Sequence, residues 1–296
     1  MTRDSGLGTR DSLTRRDFLG RATAAAVLGS TGFFPNPDPG RAESRVTNHG
    51  ALSPIGVQLY TVRRHMQESV ERTLEQVARI GYREVEFAGY FGRPAREIRS
   101  LLDANGLTAP SAHSADMSAV RTRLPQVLEE AGIIGHRYVI CASLPRMEPT
   151  ADGFRRLAEE FNRAGAEAAK AGITFGFHNH AGELAPLGDT TGYDILLAEC
   201  DPSLVTMQMD LFWTRRGGRD PLEFFAKHPG RFSSVHVKDM DASGAMVDVG
   251  AGQLPFARWF ARSEQAGIRH YFVEHDSPQD PMASITASYR HLASLR

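Results

Sequence analysis

Four apolar runs in the second half of this chain each end in a residue able to hold a metal ion or move a proton. Gly176-Phe177 runs into His178-Asn179-His180, with Glu183 three residues on. Met207-Gln208-Met209 runs into Asp210, Ser234-Val235 into His236-Val237-Lys238-Asp239, and Phe272-Val273 into Glu274-His275-Asp276. A lone histidine at such a place is usually a hydrogen-bonded structural residue, and a lone aspartate is often a helix N-cap. Repetition at four run ends points instead to side chains converging on a divalent cation. Nitrogen and oxygen donors without thiolates suit Mn²⁺, Mg²⁺, Co²⁺, Fe²⁺ or Zn²⁺. A few protein ligands leave positions open for substrate oxygens. A hydroxy-ketone held there would have its carbonyl polarised and its neighbouring C–H made acidic, and the resulting enediolate would be stabilised by the cation.

Residues on separate runs meet only if the runs lie side by side. Eight short runs rich in Val, Ile, Phe and Tyr read as buried parallel strands: 55–60, 83–88, 108–113, 137–142, 173–178, 205–210, 233–238 and 270–275. Between them lie helical patterns. Met66–Ile80 stops at Gly81, Pro94–Asn105 at Gly106, Ala151–Ala171 at Gly172 and Leu254–Ala266 at Gly267, each glycine serving as a C-terminal stop. Strand and helix alternating eight times over about 250 residues predict an α/β fold, a single-domain (β/α)₈ TIM barrel over 55–296, with 43–54 as a lead-in. An open doubly wound sheet is disfavoured, because no Gly-rich phosphate loop follows the first strand. In a barrel of this kind the site lies at the C-terminal strand ends. Glu86 and His113, late in strands two and three, join the four run ends there.

Bulk properties narrow the function. The formal net charge is −1, with 41 % hydrophobic and 23 % charged residues, so no basic excess is available to grip nucleic acid. No apolar stretch is long enough for stable membrane insertion. Two cysteines, Cys141 and Cys200, exclude a thiolate zinc site and allow at most one bridge. Nothing in the sequence sets an oligomeric state.

The first 42 residues read as an address. Arg15-Arg16-Asp17-Phe18-Leu19 resembles a twin-arginine export signal, followed by an alanine-rich stretch from Ala22 to Phe34 and then Gly40-Arg41-Ala42, which suits cleavage after Ala42. The expected location is periplasmic or exported.

Gly56-Val57-Gln58-Leu59-Tyr60-Thr61-Val62-Arg63, together with His178-Asn179-His180, Asp210-Leu211-Phe212-Trp213, His236-Val237-Lys238-Asp239 and Val273-Glu274-His275-Asp276, resembles the sugar phosphate isomerase/epimerase family of xylose-isomerase-like metal-dependent barrels. The resemblance spans the mature chain. It implies Mn²⁺ or a similar ion on residues ending strands five to eight, commonly Glu, Asp, His and Glu. Carried over, Asp210, His236 and Glu274 take the last three places and His178 the first, with His180 or Glu183 as alternatives for it. His178 departs from the family glutamate, one of two opposed bases in ketose epimerases. The resemblance therefore implies an isomerase or epimerase acting on a ketose or keto-sugar, or a lyase of 3-keto-glycosides. An endonuclease-like metallohydrolase and a non-catalytic sugar-binding barrel are the remaining readings.

Within that frame Glu274, Lys238 and Glu183 are the candidate acid–base groups. Glu86, His113, His180 and Trp213 are candidate contacts to the sugar. Lys238 could neutralise an enolate or could be a solvated loop lysine. Gln58 could simply fill the barrel floor, and Trp213 could stack on a sugar face or belong to the core. Arg215, Arg216 and Arg219 read as a solvated loop cluster.

Overall fold

The structure, a computed structural model, describes residues 54–295. The export-signal reading and the proposed cleavage point lie outside the described residues.

Eight parallel strands close into a barrel in chain order: β1 (Ile55–Gln58), β2 (Glu84–Phe87), β3 (Thr108–Ala115), β4 (Tyr138–Cys141), β5 (Thr174–His178), β6 (Val205–Asp210), β7 (Phe232–Val237) and β8 (His270–Val273), with β8 pairing back to β1. The expected (β/α)₈ barrel in a single domain is what forms. The glycines expected to stop helices, Gly81, Gly106, Gly172 and Gly267, all take positive φ, the left-handed conformation that a side chain resists.

Two helical expectations differ in detail. The pattern 66–80 splits into α1 (Arg63–Glu68) and α2 (Val70–Ile80). Ser69 is extended at the junction, and its hydroxyl accepts the Arg72 N–H at 3.2 Å, so it caps α2. The pattern 254–266 becomes two short helices, Phe256–Phe260 and Ser263–Ala266. Between β3 and β4 runs the helix Met117–Ile134, kinked at Arg123 just before Pro125, because proline cannot donate the interior hydrogen bond and crowds the preceding turn.

Alternation along the strands sorts the barrel wall into two faces. Val57, Val85, Phe87, Val139, Phe175, Phe177, Met207, Met209, Val235, Val237 and Val273 are buried in the apolar core that the helices cover. Many of their neighbours point inward and are polar: Gln58, Glu84, Glu86, Ser111, Gln208, Ser234, His236 and His270 bond one another across the barrel. Room inside is tight. A Cβ on Gly56 would lie 2.6 Å from the Phe272 ring, and one on Gly176 would lie 2.5 Å from Ile140. Cys141 and Cys200 are buried and unpaired, so no bridge contributes to stability.

Candidate active site

The inward polar residues are layered. At the N-terminal end, His270 Nδ1 meets Glu84 Oε2 at 2.9 Å. Higher up, Glu86 is fully buried and takes hydrogen bonds from Gln58 Nε2 (2.8 Å), Gln208 Nε2 (2.7 Å) and the Ser111 hydroxyl, while His236 Nε2 sits 2.5 Å from it. His236 is held on its other side by Glu274, Nδ1 to Oε2 at 2.6 Å. Burial alone would keep such an imidazole neutral. Glu274 and Glu86 reverse that and carry its pKa up to about 10. The same contacts act on Glu86: against the effect of burial, His113 and His236 bring it down to about 2.

Above this layer the strand ends assemble an ionic cluster. Lys238, 1 % exposed, reaches Asp276 at 2.6 Å, Glu274 at 2.8 Å and Asp210 Oδ2 at 3.1 Å. It is therefore not the solvated loop lysine that sequence left open. Burial would favour a neutral amine there, but Asp210, Glu274 and Asp276 keep it charged. Glu274 is likewise held well below the usual carboxylate range by Lys238 and His236, in spite of burial. Asp210 has two roles. Its Oδ1 accepts the Trp213 N–H at 2.8 Å as the N-cap of the helix Leu211–Arg216, while Oδ2 faces the cluster.

On the opposite side stand imidazoles. His178 is buried, its Nε2 3.8 Å from Asp210 Oδ2, and its Nδ1 has no hydrogen-bond partner among the described residues. Burial, then the neighbouring His236 and His113, pushes its pKa well down, so it is neutral. His113 touches Gln208 at 2.6 Å and its ring stacks on His236 at 5.0 Å.

A cavity of about 710 Å³ opens over these groups. His113, His178, His180, Lys238 and Glu274 line it, as does Asp276, which sequence reasoning quoted but gave no role. Its signal was its place two residues after Glu274, on the same side of the strand's continuation. Five candidate residues do not line the cavity: Asp210 and His236, buried in the layers described above, and Glu86, Glu183 and Trp213. Glu86 lies beneath it as the hub under His236. Glu183 is buried in a short 3₁₀ turn and accepts the His180 N–H at 3.0 Å, and burial raises its pKa. The Trp213 ring packs on His180, with centroids 5.6 Å apart. Gln58 is part of the Glu86 network. Arg215 and Arg216 bond backbone carbonyls, and Arg219 pairs with Asp194 and Glu223, all away from the cavity.

The donor set fits a divalent cation. Ligand atoms of Asp210, His236 and Glu274 lie within 4.8 Å of one another, as do those of His113, His178 and His236. His178 Nδ1 is a buried atom that makes no hydrogen bond among the described residues, and buried polar atoms rarely stay so without a partner. The ammonium of Lys238 lodged among three carboxylates shows that this point favours positive charge.

Residues 74–295 match the xylose isomerase-like TIM barrel family, and the chain belongs to it. Similar curated proteins include an inosose dehydratase of Clostridium perfringens, 24 % identical over 59 % of this chain and 65 % of that protein. Another is an inosose dehydratase of Geobacillus thermodenitrificans, 28 % identical over 42 % of this chain and 47 % of that protein. The chain thus spans less than two thirds of the curated relatives it matches. Among solved structures, a sugar phosphate isomerase/epimerase from Parabacteroides distasonis is 25 % identical with a TM-score of 0.72, covering 81 % of this chain and 97 % of that one. An AP endonuclease, family 2, from Brucella melitensis shares the fold at 18 % identity and a TM-score of 0.65, over 80 % of this chain and 99 % of that one.

Proposed function

We propose that the protein is a divalent-metal-dependent enzyme of keto-sugars that works through an enediolate, and that it completes the reaction by β-elimination. The observation that carries this is the inequality of the two cavity walls. A two-base epimerase needs a competent base on each face of the substrate carbon. Here one wall offers the carboxylate Glu274, whereas the β5 position offers the imidazole His178, so the two candidate bases differ in chemical type. Removal of a single proton calls on only one of them, the carboxylate.

Asp210, His236, Glu274 and His178 would hold the cation, with Mn²⁺ the expected ion. His236 would have to release one of its two carboxylate contacts to do so. When bound, the cation polarises the substrate carbonyl and stabilises the enediolate. Glu274 takes the proton next to the carbonyl. Lys238 donates to the enediolate oxygen, while Asp276 holds the ammonium in place. As the β-substituent leaves with its bonding pair, it takes the proton carried by Glu274. Water or an alcohol is lost and a carbon–carbon double bond remains. His113 and His180 orient substrate hydroxyls. The relatives named inosose dehydratase support elimination, and the isomerase/epimerase neighbour supports the shared first step.

The test is to incubate the protein with Mn²⁺ and a panel of ketoses and 3-keto-glycosides in D₂O, followed by NMR. Loss of water or aglycone, with the proton next to the carbonyl gone from the product, is expected. Deuterium exchange without elimination would return the assignment to isomerase or epimerase, and neither exchange nor elimination with any substrate would sink the enediolate. Export is proposed from Arg15-Arg16. Replacing both by lysine should leave the protein in the cytoplasm on fractionation, and unchanged secretion would refute it.

A further inference from the structure

The cavity extends beyond the reacting groups. In the barrel order β5–β8 supply His178, Lys238, Glu274 and Asp276, whereas the loops after β1–β4 and the helix Met117–Ile134 supply Tyr60, Tyr90, Ser114, Asp116, Arg123 and Glu130. The elimination chemistry uses none of these six. They are nonetheless organised. Tyr60, 42 % exposed, is the only large exposed hydrophobic side chain among the described residues, and the Arg63 guanidinium lies 4.1 Å from its ring centroid. Tyr90 is fixed from behind. Its hydroxyl donates to Nε2 of buried His136 at 3.1 Å, the two rings stack at 6.0 Å, and His136 Nδ1 donates to the Ala109 carbonyl at 2.6 Å. Ser114 lines the same wall.

We propose that this half of the cavity is a second sugar-binding subsite, so that the substrate is a neutral glycoside of two rings and not a phosphorylated monosaccharide. Aromatic faces supply apolar contact area that a sugar ring can cover. Asp116 and Glu130 accept from ring hydroxyls and Arg123 donates. A flat apolar aglycone would desolvate these groups without replacing their hydrogen bonds. A phosphate would meet the lining carboxylates Asp116, Glu130, Glu274 and Asp276 against the cations Arg123 and Lys238, the second already held by three carboxylates. The cavity volume of about 710 Å³ lies in the range of roughly 300–1,000 Å³ that holds ligands larger than one ring. The inference rests on the proposed chemistry only for the identity of the first ring.

The test compares KM, in the D₂O assay with Mn²⁺, for a 3-keto-disaccharide, the matching methyl and phenyl 3-keto-glycosides, and a 6-phosphorylated 3-keto-sugar. The disaccharide should show a KM about tenfold below that of the methyl glycoside, equivalent to about 1.4 kcal/mol. Tyr60→Ala and Tyr90→Ala should each bring that ratio towards one, and the phosphate should bind worst. Equal KM for one and two rings, a lower KM for the phenyl glycoside, or a lower KM for the phosphate would overturn the subsite. If no compound exchanges or eliminates, the enediolate reading fails, and the subsite is judged separately by saturation-transfer NMR with cellobiose, maltose and trehalose. Contacts to both rings of one disaccharide that weaken in Tyr60→Ala would support it. Contacts to one ring, contacts unaffected by the substitution, or no contacts would overturn it.

Discussion

The same eight strands present two faces that obey opposite rules. Outside, residues such as Phe175 and Phe177 pack against Phe161 of the helix Ala151–Lys170. Inside, the alternate residues form a chain of carboxylates, amides and imidazoles running from Glu84 and His270 up to Glu274 and Lys238. Two buried histidines show what the difference does. His236, inside, lies between two carboxylates and is protonated, with a pKa raised to about 10. His136, beside Phe87 and Tyr90, finds no carboxylate in contact, and burial takes its pKa down to about 4. Burial is nearly complete for both. Local charge, not depth, decides the proton, and only the inside face is built to hold charge.

The comparison can be broken most sharply at His236. His236→Ala should lower keto-sugar turnover on the order of a thousandfold and abolish tight Mn²⁺ binding by calorimetry. Turnover within tenfold of the parent protein would mean that the inner network is structural only. On the outer face, Phe175→Ala should cost about 3–5 kcal/mol in denaturant unfolding. Activity per folded molecule should stay within about twofold, since no catalytic group is touched. A large activity loss without unfolding would show that the two faces are coupled.

His136 gives a pH signature. Its folded pKa of about 4 lies below the ordinary histidine value of 6.5, so between these values the unfolded chain binds a proton that the folded chain does not. Stability from this residue is therefore intact above pH 6.5 and falls as pH drops towards 4, by about 3 kcal/mol in all. Urea titrations at several pH values should show His136→Gln losing less stability over that interval, and equal slopes would refute the assignment. The smallest effect is expected at Lys238. Lys238→Met removes the ammonium that competes for the carboxylates, and Mn²⁺ affinity should rise by about tenfold, near 1.4 kcal/mol. Unchanged or weaker binding would show that Lys238 does not compete with the metal.

Much of the fold could be read directly from sequence, because it is a matter of period. Short β-rich runs, intervening amphipathic helices and terminal glycines are local signals, and the strand ends carrying His178, Asp210, His236 and Glu274 follow from them. The split at Ser69 was not legible, since it depends on a side chain competing for backbone N–H groups. Nor was the helix Met117–Ile134, which Pro125 disguises. The site shows the same division. Residue types and spacing nominated the ligands, but a carboxylate at the end of a strand reads the same whether it faces a substrate or another side chain. Glu86 became the hub beneath His236, Glu183 a partner of the His180 backbone, and Lys238 a buried cation held by three carboxylates, because closing the barrel brought groups up to 150 residues apart in sequence into contact. Sequence alone determined where the strands fall and which His, Asp and Glu side chains stand at their ends, because both are local signals. Only the tertiary structure decided which polar groups pair and which stay free to meet a ligand, because pairing depends on distances that barrel closure sets.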